Sequence, residues 1–448
     1  AEAWTQDWMN VYHWQPLAVV RPASTQQVQS IARSCHAAGI AMVPVGGNTG
    51  LTGATKAQDA VMISLDRMNA IREIKPNAQV AIVESGAILD SIHQAVDAHD
   101  LVFPLFFGAR GSAMIGGNLS TNAGGSNVLR YGNTRDLCLG LEVVLADGRV
   151  MNLMSELRKD NTGLNLKHIL IGAEGTLGII TTAVLRLYRK PLAYVTAMVG
   201  LQTLEDSIPL LNRLQNETGG GVEAFEYMPR RYIERHMDKI DGAMEPFDNA
   251  HDVNILVEVA TTRTSDLEQD DTGTPKLQAI LETALMDMIE AGSAQDAVIA
   301  QNEAQRRVMW ERRESAAEIT VGVAGSIDTD VAVPLDDVPT FLQQVSERVQ
   351  AIDPDGQEFY IAHLGDGNLH YTFYPSDTSG VFKEPITEAI EDIVSALNGS
   401  FSAEHGIGLS KRNSMARRKD PVALEMMQAV KSAFDPKNLM NPGKVYPD

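Results

Sequence analysis

Three glycine-rich segments, each beside a strand-like run, constrain this 448-residue chain more than any other feature. The first is Pro44-Val45-Gly46-Gly47-Asn48-Thr49-Gly50. The second is Gly111-Ser112-Ala113-Met114-Ile115-Gly116-Gly117-Asn118, continuing to Thr121-Asn122-Ala123-Gly124-Gly125. The third is Gly172-Ala173-Glu174-Gly175-Thr176-Leu177-Gly178. Glycine lets successive amide N–H groups turn into one concavity, which binds an anion without any lysine. Singly, each segment reads first as a tight turn. Three in one region point to a phosphate or ring that the backbone approaches closely. None has GxGxxG spacing at the start of a strand–helix unit, and no GxxxxGK[ST] occurs. A doubly wound dinucleotide site and a P-loop are therefore disfavoured.

The surrounding patterns are those of a mixed α+β protein. Ser24 with Gln27 three residues on forms a capping box. Val28, Ile31, Ala32 and Cys35 follow at helical spacing, and Gly39 closes the helix. Strands are predicted at 17–21, 40–45, 60–65 and 79–84, and a helix at 88–98. Lys190-Pro191 marks a boundary. Beyond it the patterns predict strands at 194–200, 253–260, 327–333, 358–363 and 369–374. Helices are predicted at 204–215, 276–291, 302–319 and 338–351, with a solvated acidic loop at 265–273. This is an antiparallel sheet backed by helices, followed by a last helix and a Pro/Gly-punctuated tail. The divisions expected are 1–190, 191–410 and 411–448.

Charge narrows the function. The formal net charge of -21 repels phosphate backbones and anionic membranes, so no nucleic-acid role is expected. An anionic substrate then needs a local positive group or a metal ion. The two cysteines, Cys35 and Cys138, have no CxxC spacing. Buried, inert thiols in a reducing compartment are expected. No apolar run approaches the roughly 18 residues of a spanning helix. The opening AEAWTQDW has no basic-then-apolar pattern of a signal peptide, so the expected location is the cytoplasm.

A second constellation carries chemistry. His363 ends one predicted strand and His370 opens the next, with Gly365-Asp366-Gly367 as the turn. Opposed residues of an antiparallel pair share a face, so the two imidazoles can converge. Two imidazoles with one carboxylate are a frequent ligand set for a zinc-like ion, and Glu404 is the natural third member. His405 beside it is then available for proton transfer. The same pair can also be polar surface, and spacing alone does not choose. Asp366 reads as a turn-former.

The strings PVGGNTGLTG, GARGSAMIGGNLSTNAGG, RYGNTRD, LEVVLADGRV, RKDNTG and IGAEGTLGIIT resemble the two-subdomain FAD-binding domain of the vanillyl-alcohol-oxidase-type flavoproteins. HLGDGNLH, SAEHGIG and NPGKV resemble the branch of D-lactate, glycolate and D-2-hydroxyglutarate dehydrogenases, with an antiparallel-sheet cap domain. The resemblance implies FAD held along Pro44, Gly46, Gly47, Asn48, Thr49, Gly50, Gly111, Ser112, Gly116, Gly117, Asn118, Thr121, Asn122 and Gly124. It implies Glu174, Gly175, Gly178 and Ile179 at the adenosine end, and Asn441 returning near the flavin ring. The first loop lacks the His or Cys of covalent relatives, so the flavin is expected to dissociate. The resemblance also implies a divalent metal, zinc in first place, on His363, His370 and Glu404. His405 is implied as the base, and Arg313 as the group for the substrate carboxylate.

The implied reaction is oxidation of a D-2-hydroxy acid to the 2-oxo acid by hydride transfer to flavin. Electrons would pass to an electron-transfer flavoprotein, a quinone or a cytochrome, and a homodimer is the default assembly. Three positions depart from the hydroxyglutarate pattern: Ala317 for a threonine, Asp328 for a lysine and Thr372 for an asparagine. An aspartate there repels a distal carboxylate, so a monocarboxylate or a polyhydroxylated acid is expected instead. Two other classes stand beside this reading. One is an FAD oxidase using oxygen on another alcohol. The other is a non-catalytic flavin-binding protein, which a broken His/Glu cluster would signal.

Overall fold

The protein is described here from a computed structural model covering residues 4–320 and 323–447. The first three residues of the AEAWTQDW stretch lie outside them. The chain forms two compact units. One comprises the described parts of Ala1–Gly125, Tyr131–Lys190 and Glu404–Asp448, the other Ser126–Arg130 and Pro191–Ala403.

In the first unit, Ser24 caps the helix Thr25–Ala38 by accepting the Gln27 N–H, and Gly39 ends it at φ 66°. Val28, Ala32 and Cys35 are its buried face, as their spacing predicts. Burial raises the Cys35 thiol and pushes Cys138 up to about 12, so both are inert. This helix connects Ala18–Val20 to Met42–Val45, and Val61–Ser64 lies between them in a parallel three-stranded sheet. The end of the chain returns to that sheet. Met42 donates its N–H to Leu439 O (2.7 Å), and Asn441 donates its own to Met42 O (2.8 Å).

A second, antiparallel sheet runs in the order Ile71–Lys75, Val80–Glu84, Ile179–Arg186, Cys138–Val144, Val150–Leu153. Leu89, Ile92, Ile115 and Leu119 pack over its core. Ile115–Thr121 is a helix, although its sequence is glycine-rich and reads as loop. Ile115 and Leu119 are one turn apart and both fully buried, and that burial outweighs the two glycines between them.

The second unit is one seven-stranded antiparallel sheet. Its order is Ala294–Ile299, Ala193–Leu201, Val253–Thr261, Val222–Pro229, Gln357–His363, Asn368–Tyr374, Ile327–Ala332. Side chains alternate between its faces. One face (Val199, Ile255, Val257, Tyr371, Phe373) meets Leu210, Leu281, Phe341 and Ile390 from four helices. The other (Met198, Leu256, Phe359, Ile361) meets Tyr232, Ile233 and Met309 from the helices Arg230–Lys239 and Glu303–Glu314. The helix expected at 302–319 is broken at Ser315, whose hydroxyl bonds back to Arg312 O (2.9 Å). Among the described residues no helix is long and apolar enough to cross a membrane.

Candidate functional site

The glycine segments of the first unit divide by what a side chain would meet. A Cβ on Gly47 would stand 2.1 Å from Ser112 O, one on Gly116 2.5 Å from Ser85 Cβ, and one on Gly178 2.7 Å from Val143 Cγ1. Gly175 has φ +72°, and a Cβ there would stand 2.6 Å from Pro44 Cγ. These four glycines press the segments onto each other and onto the sheet. Gly50, Gly111 and Gly117 face open space instead, so packing does not explain them. Asn48 and Asn122 take the left-handed conformation at φ 54° and 51°. The Asn48 amide donates to Gln6 O (2.9 Å), and Asn122 Oδ1 accepts the Arg135 N–H (2.9 Å). Thr121 bonds back to Gly117 O (3.1 Å), Gly124 is buried, and Ile179 opens a strand.

Asn441, at φ 43°, donates to Glu174 O (2.8 Å) and Ala54 O (3.0 Å). It thereby ties the tail to the third segment. The Glu174 carboxylate accepts the N–H groups of Ile407 (2.7 Å) and Gly408 (2.8 Å). Burial pushes Glu174 up to about 6, against the pull of those two donors. Thr52 bonds to His405 O (3.4 Å), and a Cβ on Gly408 would stand 2.3 Å from Thr52 O. Glu404 and His405 are therefore carried next to a turn that Glu174 and Thr52 hold.

In the second unit, the hairpin expected around Gly365-Asp366-Gly367 is present. A 3-10 turn spans Leu364–Asp366, and Gly367 is left-handed at φ 74°. His363 and His370 are not directly opposed. The four-residue connection sets His363 opposite Asn368 and His370 opposite Ile361, so the histidines are diagonal neighbours. They still share a face, with ring centroids 5.3 Å apart and planes at 82°.

Each histidine has a carboxylate opposite it on the flanking strand. Glu226 is the register partner of His363, and Asp330 that of His370. Glu226 lies 2.8 Å and 2.9 Å from His363 Nδ1, and Asp330 Oδ1 3.6 Å from His370 Nδ1. Arg313, at the end of the helix Glu303–Glu314, donates Nε to Glu226 (2.7 Å). Its terminal nitrogen rests 3.3 Å from His363 Nδ1. Burial alone would raise Glu226, but the His363 and Arg313 charges hold it below the usual carboxylate range. An ionised carboxylate only accepts, so the His363 Nδ1 that faces Glu226 is the donor of that bond.

Two family models match the chain. "FAD binding domain" matches residues 16–154, and "FAD linked oxidases, C-terminal domain" matches 190–445, more than half of the chain. The chain belongs to the family of FAD-linked oxidases. A D-2-hydroxyglutarate dehydrogenase of Stutzerimonas stutzeri is 33% identical over 99% of this chain and 94% of its own. A D-2-hydroxyglutarate–pyruvate transhydrogenase of Saccharomyces cerevisiae is 31% identical over 99% of this chain and 89% of its own. The solved p-cresol methylhydroxylase has the same fold at TM-score 0.72 and 16% identity, covering 99% of this chain and 92% of that one.

The residues of this FAD-linked oxidoreductase fit its flavin. Asn118 and Asn441 each keep a buried side-chain oxygen that no described protein group bonds. Such oxygens in a native protein call for a ligand or water. The three open glycines add a surface over which backbone can meet phosphate. His363 and His370, on one face and each facing a carboxylate, likewise suit a divalent ion, and the Glu226 contact orients the His363 ring.

Two of the three departures from the hydroxyglutarate pattern, Asp328 and Thr372, occupy the same sheet face as the histidines. Asp328 lies inside the strand Ile327–Ala332, directly opposite Thr372. Its Oδ1 accepts the Thr372 hydroxyl (2.7 Å), and its Oδ2 that of Ser326 (2.9 Å). Ala317 is exposed. Glu226 has no counterpart in the sequence reading. Its strand, VEAFEYMP, is buried at every position and gives no alternation to set the carboxylate apart.

Proposed function

We propose that the protein oxidises a D-2-hydroxy acid to its 2-oxo acid with metal assistance, and passes the electrons to a separate carrier. The observation that carries this reading is the pair of histidines on one sheet face, each set opposite a carboxylate on the flanking strand. The hydroxyglutarate-oxidising relatives, at 31% and 33% identity over nearly the whole chain, support the reaction class.

When bound, FAD supplies the hydride acceptor and a divalent ion supplies a Lewis acid for the substrate hydroxyl. Pro44, Gly46, Gly47, Asn48, Thr49, Gly50, Gly111, Ser112, Gly116, Gly117, Asn118, Thr121, Asn122, Gly124, Gly175, Gly178, Ile179 and Asn441 would hold the flavin without a covalent bond. Glu174 acts on the His405 turn as well as lying in the third segment. His363, His370 and Glu404 would hold the ion, with zinc suited to that donor set. Ala403 donates to Asp330 O (3.2 Å), so the chain enters Glu404 directly from the strand partner of His370. His405 takes the hydroxyl proton. Arg313 binds the substrate carboxylate through its terminal nitrogens, its Nε being already engaged by Glu226.

Asp328 sets the substrate. Its two oxygens already accept two hydroxyls, which is the environment of a hydroxylated or uncharged substrate tail. A second substrate carboxylate there would meet a like charge. A monocarboxylate or polyhydroxylated D-2-hydroxy acid is therefore the proposed substrate, an electron-transfer flavoprotein or quinone the acceptor, and a reducing compartment such as the cytoplasm the location. Turnover of a panel of D- and L-2-hydroxy acids with an artificial electron acceptor tests this. Oxidation of one D-acid, lost on chelation and restored by zinc or manganese, supports the reading. Oxidation indifferent to chelation would remove the metal from it.

A further inference from the structure

We propose that Glu226 is a positioning residue shared by the metal and substrate sites. It orients His363 for the ion and Arg313 for the carboxylate through one buried side chain. This inference rests on the metal-assisted reading above.

Glu226 is 1% exposed, on a strand interior to the sheet. Its register partner is His363, so the backbone itself sets the two side chains on one face. Both carboxylate oxygens lie within 2.9 Å of His363 Nδ1, and Oε2 also accepts from Arg313 Nε (2.7 Å). Arg313 in turn leans on the same imidazole. The three groups form a closed triangle in which each side chain restrains the other two.

Two consequences separate this from an ordinary buried ion pair. The Glu226 contact keeps the His363 proton on Nδ1, which leaves Nε2 as the ligating nitrogen. The same carboxylate balances Arg313, which would otherwise stand as an uncompensated buried cation beside the imidazole. Removal of Glu226 therefore frees the His363 tautomer and lets Arg313 swing, damaging metal affinity and substrate affinity together. Removal of Arg313 damages only the second, because His363 keeps its carboxylate.

The test compares Glu226→Gln, Glu226→Asp and Arg313→Met with the wild-type holoenzyme. Zinc affinity is measured by competition with a chromophoric chelator, alongside KM and kcat for the best 2-hydroxy acid. Glutamine is expected to weaken zinc binding by about 10- to 100-fold and to raise KM. Arg313→Met is expected to raise KM comparably with zinc affinity within about 3-fold of wild type. Aspartate, which restores the charge at shorter reach, is expected between wild type and glutamine, and it carries the test should glutamine not fold. Equal zinc affinity in wild type and both Glu226 variants would overturn the proposal while leaving the metal reading intact. Equal zinc loss in Glu226→Gln and Arg313→Met would reduce the cluster to a structural ion pair. Absence of zinc binding by wild type would overturn the metal reading itself, and this inference with it.

Discussion

Glu174 accepts the N–H of Ile407 at 2.7 Å across 233 residues of sequence, and it does so from a left-handed backbone at φ 49°. The Gly408 N–H completes the clamp at 2.8 Å. One buried carboxylate thus joins the third glycine segment to the turn that carries Glu404 and His405. In the proposed mechanism, the residues of both the flavin site and the base depend on it.

This clamp has a pH signature. Burial pushes Glu174 up to about 6 from an ordinary 4.5, so the folded protein binds this proton more tightly than the unfolded chain. Stability from this group is full below pH 4.5, falls as pH rises towards 6, and is then constant at a loss of about 2 kcal/mol. Glu174→Gln removes the titration. Chemical denaturation of both proteins from pH 4 to 7 should show the wild-type minus variant difference shrinking across that window. A difference flat with pH would contradict the assignment.

The glycines predict opposite outcomes for two adjacent-looking substitutions. Gly47→Ala drives a methyl to 2.1 Å from Ser112 O, so it should destabilise the apoprotein by about 1–3 kcal/mol and release flavin. Gly117→Ala meets nothing and sits in a helix, so it should stabilise the apoprotein by up to about 1 kcal/mol. FAD titration followed by fluorescence should nonetheless show weaker binding for Gly117→Ala, because the proposed flavin site places the cofactor over Gly117.

Substrate choice should turn on Asp328. Asp328→Lys replaces a like charge by an opposite one beside Thr372, so it should raise kcat/KM for D-2-hydroxyglutarate relative to D-lactate by about tenfold or more, or ~1.4 kcal/mol. Asp328→Asn should give a smaller change in the same direction. A preference unmoved by either variant would exclude Asp328 from the substrate site.

His405→Asn should cut kcat by about 100-fold or more with little change in flavin affinity, as expected for loss of a general base. Equal loss of bound flavin would mean that His405 supports the fold of its turn rather than the reaction.

Much of this was legible before the structure. Local signals did well: Ser24, Gln27 and Gly39 bound a helix because capping is a short-range effect. The His363–His370 hairpin was legible because its turn residues lie between the histidines. The exact register was not, since the 3-10 turn shifts the histidines from opposed to diagonal. Glu226 was invisible because its meaning comes from His363, 137 residues away, and from Arg313, 87 residues away. The helix at Ile115–Thr121 was hidden by Gly116 and Gly117, whose propensity is outweighed only by tertiary burial.

The most direct test of the account is the anaerobic visible spectrum of the purified protein before and after adding each of a panel of D- and L-2-hydroxy acids. The account predicts an oxidised flavin spectrum bleached by one D-acid and no longer bleached after chelation. A flavin spectrum that no 2-hydroxy acid bleaches would contradict the proposed reaction.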